Sequence, residues 1–347
     1  MRGKIAIEEA WNLPRLANDA VGYASPAGAV KLEAAMQDIK GRIKEMDEQG
    51  VELQALSFTS PGWIANECKG YEHRFANFAA VCMIDPAAAA KEARRCITEL
   101  GFVGVLINDY QSVSREEAPP YAENGFVDEP TLRLYFDAPE YDIFWKTMEE
   151  LNRPVYLHPR LHRGDFYKKR PHLAASAHGF KTQLSSHVLA IATAGVFDRF
   201  PKLQVCIGHM GEGLVADLWR ADHKLDRARF PNMAIQKGVL LKDYFRKNIH
   251  ITSSGHYSTR TMLAAIAELG SDRIMFSIDY PYEPDLANAC NWIDNAPISE
   301  VDKMKICRGN AIRLLRLDER PFDLNKDTTY EELTDKREGD VFGLGEY

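Results

Sequence analysis

Three things are scarce in this chain of 347 residues, and each scarcity narrows its chemistry. Positive charge is the first: 43 lysines and arginines stand against 50 aspartates and glutamates, leaving a net charge of −7. No basic run is longer than Lys168–Arg170. That balance excludes the electrostatic footprint of a nucleic-acid or anionic-membrane partner. Long apolar runs are the second, since nothing approaches the roughly 20 residues of a membrane span. A strand-like run begins at Lys4, which leaves no room for a signal peptide, so the expectation is a cytoplasmic protein with no membrane partner. Cysteine is the third. The six cysteines (68, 82, 96, 206, 290 and 307) show no CxxC spacing, so neither a disulfide framework nor a cysteine zinc cluster is expected. Cys82 and Cys206 fall in apolar strand-like runs, where a thiol packs as a small hydrophobe. Internal repeats and low-complexity segments are lacking too. Hydrophobic residues make up 45% of the chain, enough for a sizeable core, and the length suits one α/β barrel as well as two average domains.

What is present is a recurring arrangement: a short apolar strand that ends on a side chain able to bind metal or move a proton. In Gln204–Glu212 (QVCIGHMGE) the apolar run leads to His209, and Glu212 follows a turn. Pro154–Arg160 (PVYLHPR) ends a strand on His158, and Arg273–Tyr280 (RIMFSIDY) ends one on Asp279. Lys4–Ala10 (KIAIEEA) ends on Glu8 and Glu9, of which strand alternation points only one inward. Further strands are expected at Leu53–Thr59, Phe75–Ile84, Phe102–Ile107 and Ile249–Ser253. Helical patterns mostly separate them, including Lys31–Gln49 with Gly50 as its stop and an alanine-rich helix opened by Asp85-Pro86. Eight strands alternating with helices spell an α/β fold, a parallel (β/α)₈ barrel over residues 1–318 with a charged tail over 319–347. Residues 112–137 read as a polar insertion or flexible loop, and Trp11–Gly28 as a long loop. His187, in an apolar helix, reads as a core histidine, and His162, His172 and His178 as solvated loop residues.

In such a barrel the strand C-termini meet at one face, so Glu8, His158 and Asp279 form a set suited to one divalent metal. His209 is either a fourth ligand or a proton-transfer group; the second reading is preferred, with Glu212 expected to orient its ring by a hydrogen bond. The flanking segments are distinctive: GKIAIEEA, LGFVGVLIND, VYLHPR, GVFDRFPKLQVCIGHMGE, ITSSGHYST, DRIMFSIDYPYE and GNAIRLLRL. In that order, from residue 3 to about 317, they resemble the amidohydrolase superfamily. The branch is that of metal-dependent non-oxidative decarboxylases, which includes 2,3-dihydroxybenzoate, γ-resorcylate and salicylate decarboxylases. The resemblance implies that Glu8, His158 and Asp279 bind metal, that His209 with Glu212 serves the reaction, and that Arg220 joins the same polar shell. It also implies a homodimer or homotetramer.

Two departures stand out. Many relatives carry a histidine two positions after the first metal-binding residue, where this chain has Ala10. The remaining oxygen-rich donors favour Mg²⁺ or Mn²⁺ over Zn²⁺. The connection 61–74 between the second and third strands is also short, where relatives have a long helix. The activity implied is decarboxylation of an ortho-hydroxybenzoate, a small aromatic carboxylate, with 2,3-dihydroxybenzoate giving catechol as the first choice and salicylate or 2,6-dihydroxybenzoate as alternatives. Asp279 is the candidate acid toward the ring carbon. Trp11, Tyr282 and the loop 161–177 would wall the pocket. The competing readings are a metal-dependent hydrolase or lactonase of the same superfamily and a non-catalytic descendant.

Overall fold

The run Lys4–Ala10 forms the first strand, β1, and all seven of its residues are buried. A strand buried on both faces belongs inside a parallel sheet. β1 pairs in parallel with β2 (Val51–Ser57), and parallel pairing continues in chain order through β3 (Phe75–Ala80), β4 (Gly104–Asn108), β5 (Val155–His158), β6 (Val205–Ile207), β7 (Ile249–Thr252) and β8 (Ile274–Met275). With helices around them, the eight strands make the nearly closed (β/α)₈ barrel that the alternation of elements predicts. This computed structural model describes residues 1–11, 26–57, 70–124, 131–161, 164–231, 233–283 and 285–319. Most of the expected loop 11–28, most of the connection 61–74, His162 and nearly all of the tail 319–347 lie outside the described residues.

Ile5, Ile7, Leu53, Phe78, Tyr156 and Met275 belong to an apolar cluster that includes Leu315 and Leu317 of the last described segment. A second, larger cluster packs the strands' outer faces against the helices, with Trp145, Phe144 and Phe245 fully buried. Two joints give the barrel its local character. Along β1 the partners run from Ala6↔Gln54 to Glu9↔Leu56, so β1 advances three residues while β2 advances two. One extra residue in β1 interrupts the alternation set by Ile5 and Ile7 and re-aims Glu8 and Glu9. Both glutamates are buried. At the seam between β8 and β1 the closure consists of separate bonds. Ala10 N–H donates to the Tyr280 carbonyl at 2.7 Å, and Glu8 N–H donates to Ser277 Oγ at 2.8 Å.

Several local expectations are met. The Asp85 side chain accepts from the N–H groups of Ala87 and Ala88 and opens the helix Pro86–Thr98. Gly50 ends its helix at φ +67°. Others need correction. The helix expected over 31–49 is two helices, Pro26–Gln37 and Ile39–Gln49, because the Asp38 carboxylate takes the Gly41 N–H and starts the chain afresh. Residues 112–137, expected as a loop, contain a small antiparallel sheet of Gln111–Ser114, Glu123–Asn124 and Thr131–Leu134. Cys206 is buried, whereas Cys82 lies beyond β3 and is exposed. Among the described residues no helix is long and apolar enough to cross a membrane.

Candidate active site

The re-aimed Glu8 brings its carboxylate against side chains from β5 and β7. Its Oε2 accepts hydrogen bonds from Tyr156 Oη and Ser254 Oγ, and from Thr252 Oγ1 at 3.1 Å. The other oxygen, Oε1, is buried with no hydrogen-bond partner. It stands 4.0 Å from Nε2 of His158 and 4.0 Å from Nε2 of His209. Both imidazoles turn their far nitrogen to a backbone carbonyl: His158 Nδ1 lies 2.9 Å from Pro159 O, and His209 Nδ1 lies 2.7 Å from Ser254 O. A carbonyl only accepts, so Nδ1 of each ring carries a proton and Nε2 is the nitrogen turned to Glu8. One bare carboxylate oxygen facing the Nε2 atoms of two imidazoles fits a divalent cation, which would take the place of any proton on Nε2. Two ligands each about 2.1 Å from one ion are themselves about 3–4 Å apart. No group of three or more ligating side chains is already gathered into a cage among the described residues.

Asp279 follows the end of β8 with φ +72°, in the left-handed region that a non-glycine residue adopts only when its surroundings hold it there. Burial pushes its carboxyl well above the usual range; His209 opposes this, and Glu8, Glu9 and Glu283 reinforce it. His209 is also perturbed. Burial alone would lower its pKa, but the carboxylates of Glu212, Glu8 and Asp279 outweigh that and push it up to about 9. Burial raises Glu212 to about 7 against the pull of His209. Burial lowers His158.

The backbone explains how His209 and Glu212 come together. Residues 209 to 213 all have positive φ, from +50° at His209 to +78° at Gly213. This is a left-handed turn, with Gly211 N–H donating to Gly208 O at 2.8 Å. Glu212 Oε1 lies 3.8 Å from His209 Nε2, an ion-pair distance and too long for a hydrogen bond. The ring is therefore oriented by Ser254 through Nδ1, and not by Glu212 as the sequence suggested. Glu212 also lines a cavity of about 290 Å³ between the helices Gly179–Thr193 and Leu214–Lys224, with Lys181 and Ser185 in its wall.

The structure thus gathers Glu8, His158, His209 and Glu212, with Asp279 within electrostatic reach. The remaining expected residues are placed differently. Trp11 follows β1 with its ring buried, and its Nε1 has no hydrogen-bond partner. Tyr282 is 38% exposed on the segment after Asp279. Arg220 is exposed on the helix Leu214–Lys224 and makes no hydrogen bond or ion pair with the site among the described residues. Tyr156, Thr252 and Ser254 are the residues that sequence reasoning missed. The signal available was a run of three hydroxyls, Thr252 to Ser254, closing β7, a poor choice for a strand end that needs only packing. His187 is a core residue, as read: its Nε2 accepts from Phe136 N–H at 2.8 Å, and its Nδ1 lies 2.8 Å from Asp109.

Comparison with known proteins identifies the family and the fold. The profile of the amidohydrolase family matches residues 23–317. The γ-resorcylate decarboxylase of Rhodococcus jostii (strain RHA1) is 38% identical over 341 residues, covering 92% of this chain and all of the relative. A 2,6-dihydroxybenzoate decarboxylase crystallised with 2,6-dihydroxybenzoate superposes with a TM-score of 0.81 at 34% identity, covering 91% of this chain and 100% of the other. A dihydroxybenzoic acid decarboxylase from Polaromonas sp. JS666, solved with manganese and the inhibitor 2-nitroresorcinol, gives a TM-score of 0.81 at 33% identity over 92% of this chain and 98% of the other.

Proposed function

We propose, from the premise that the chain belongs to the amidohydrolase family, that it is a carboxy-lyase that removes CO₂ from a hydroxybenzoate without oxidation. The observation that carries this reading is the bare, buried Oε1 of Glu8, facing the Nε2 atoms of His158 and His209 at the strand ends of a barrel. Glu8, His158 and Asp279 would hold a divalent cation, and the manganese in the Polaromonas relative makes Mn²⁺ the first to try. When bound, the ion would supply positive charge that orients the carboxylate and ortho-hydroxyl of the substrate and draws electron density from the ring.

The first-choice substrate implied by the sequence resemblance is 2,3-dihydroxybenzoate. The near full-length likeness to γ-resorcylate and 2,6-dihydroxybenzoate decarboxylases favours 2,6-dihydroxybenzoate instead, giving resorcinol. The balance is one substrate anion and one proton in, one resorcinol and one CO₂ out. Asp279, whose carboxyl burial and the field of Glu8, Glu9 and Glu283 push above the usual range against the pull of a cation, would donate a proton to the ring carbon that bears the carboxylate. The carbon–carbon bond breaks as the ring regains aromaticity, and its electron pair stays with the ring. His209 holds a proton against Glu212 and would return it toward Asp279, while Glu212 also borders the neighbouring cavity.

The test is to incubate protein loaded with Mn²⁺ or Mg²⁺ with 2,6- and 2,3-dihydroxybenzoate and salicylate, measuring CO₂ and the phenol. Release of resorcinol and CO₂ in equal amounts from 2,6-dihydroxybenzoate is expected. Stoichiometric metal with no turnover of any of the three rejects the proposal, and lactone opening without CO₂ would replace it with the hydrolase reading.

A further inference from the structure

We propose that Glu9 is a positioning residue that fixes where Asp279 and Glu8 stand, a role that rests on the reading of those two carboxylates as the working pair of the site. Glu9 is fully buried and sits at the seam between β1 and the segment that follows β8. Its Oε1 accepts from Ile278 N–H at 2.9 Å and from Ser277 Oγ at 3.1 Å. Its Oε2 accepts from Tyr280 N–H at 2.9 Å. The two clamped amides are those immediately before and after Asp279. One carboxylate therefore brackets the residue whose φ of +72° demands outside support.

The clamp reaches Glu8 as well. The Ser277 hydroxyl that donates to Glu9 accepts the backbone N–H of Glu8 at 2.8 Å. Any shift of the Glu9 carboxylate is transmitted to both neighbours, to Asp279 through two amides and to Glu8 through one hydroxyl. The ladder of β8 ends at Met275, so the amides of Ile278 and Tyr280 find their acceptors on this side chain and not on a strand. Buried Arg42 braces the other side. Its Nη2 donates to Ala10 O at 2.7 Å, and its guanidinium lies 4.5 Å from the centre of the Tyr280 ring. Three donors converge on two oxygens, an arrangement that a carboxylate satisfies completely. A glutamine would turn an NH₂ group toward at least one N–H or O–H.

The test compares wild type, Glu9→Gln and Ser277→Ala, with Met148→Ala as a core substitution far from the seam. The readouts are amide hydrogen exchange, Mn²⁺ affinity by electron paramagnetic resonance, thermal melting, and kcat against KM on 2,6-dihydroxybenzoate. In Glu9→Gln, exchange at Ile278 and Tyr280 should quicken about tenfold while neighbouring barrel amides hold. Mn²⁺ affinity and kcat should each fall about ten- to hundredfold, with KM changing less. Ser277→Ala should move the same readouts in the same direction by less, and it decides the matter if Glu9→Gln does not fold. Metal affinity and kcat that fall no further than in Met148→Ala, once both are compared at their melting losses, would overturn the proposal. If wild type itself binds no Mn²⁺ and turns over nothing, the decarboxylase reading fails on its own. Exchange then decides the clamp: loss confined to those two amides supports it, and unchanged protection sinks it.

Discussion

The two oxygens of Glu8 live in different worlds a bond apart. Three hydroxyls saturate one, and the other faces the imidazoles bare, although a buried unpartnered carboxylate oxygen is disfavoured. His250 is a useful comparison, because its Nδ1 is likewise buried without a hydrogen-bond partner while its Nε2 is engaged within the fold. Its Nε2 lies 3.0 Å from Arg273 Nη1, which can only donate, so the ring is held neutral. Burial and the charges of Arg273 and Arg313 lower its pKa to about 3. The folded value lies below the ordinary histidine value, so below about pH 6.5 the unfolded chain binds the extra proton. The stability involved is intact above that pH and is lost as pH falls toward 3, at about 1.4 kcal/mol per pH unit. His250→Gln should therefore flatten the acid limb of a plot of unfolding free energy against pH between 6 and 4. Denaturant titrations across that window measure it.

Elements whose periodicity is strong, such as the helix opened by Asp85 and the buried strands β1 and β5, were legible from the chain. The sheet over 111–134 was not. Its strands are two to four residues long and mostly polar, and burial of Arg133, Leu134 and Phe136 depends on partners far along the chain such as His187. Strand ends predicted Glu8, His158, His209 and Asp279, because a polar side chain closing an apolar strand is a local signal. The hydroxyl cage around Glu8 depends on which strands face each other across the barrel, and the choice between Glu8 and Glu9 turned on a single extra residue that alternation cannot foresee. The end of β6 offers a direct test of that crowding. A Cβ on Gly208 would lie 2.8 Å and 3.1 Å from the two oxygens of Glu8 and 3.2 Å from Tyr156 Oη. Gly208→Ala should fold yet bind Mn²⁺ at least about tenfold more weakly, as calorimetric titration would show. Affinity equal to wild type would mean that Glu8 can move aside at no loss.

Across the whole molecule, the candidate site draws on β1, β5, β7, the turn after β6 and the segment after β8, so a ligand held there ties distant parts of the chain together. Binding to the folded state alone adds stability by mass action. Free Mn²⁺ at a hundredfold excess over its Kd should raise the unfolding free energy by about 2.7 kcal/mol, and a chelator should remove the gain. Equal melting temperatures with metal and with chelator would count against a site that spans the barrel. A net charge of −7 favours cation approach in general, so Ca²⁺ serves as the control for a merely electrostatic gain.

The left-handed turn from His209 to Gly213 has a further consequence, for ancestry. Three of its five residues carry side chains, in a conformation that disfavours each by roughly 1–2 kcal/mol. A lineage released from chemistry would gain by drifting to easier residues and an ordinary bend. A cousin of unknown habit could be judged by this one corner of its backbone: a relaxed bend marks retirement, and a persisting left-handed coil marks a protein still at work.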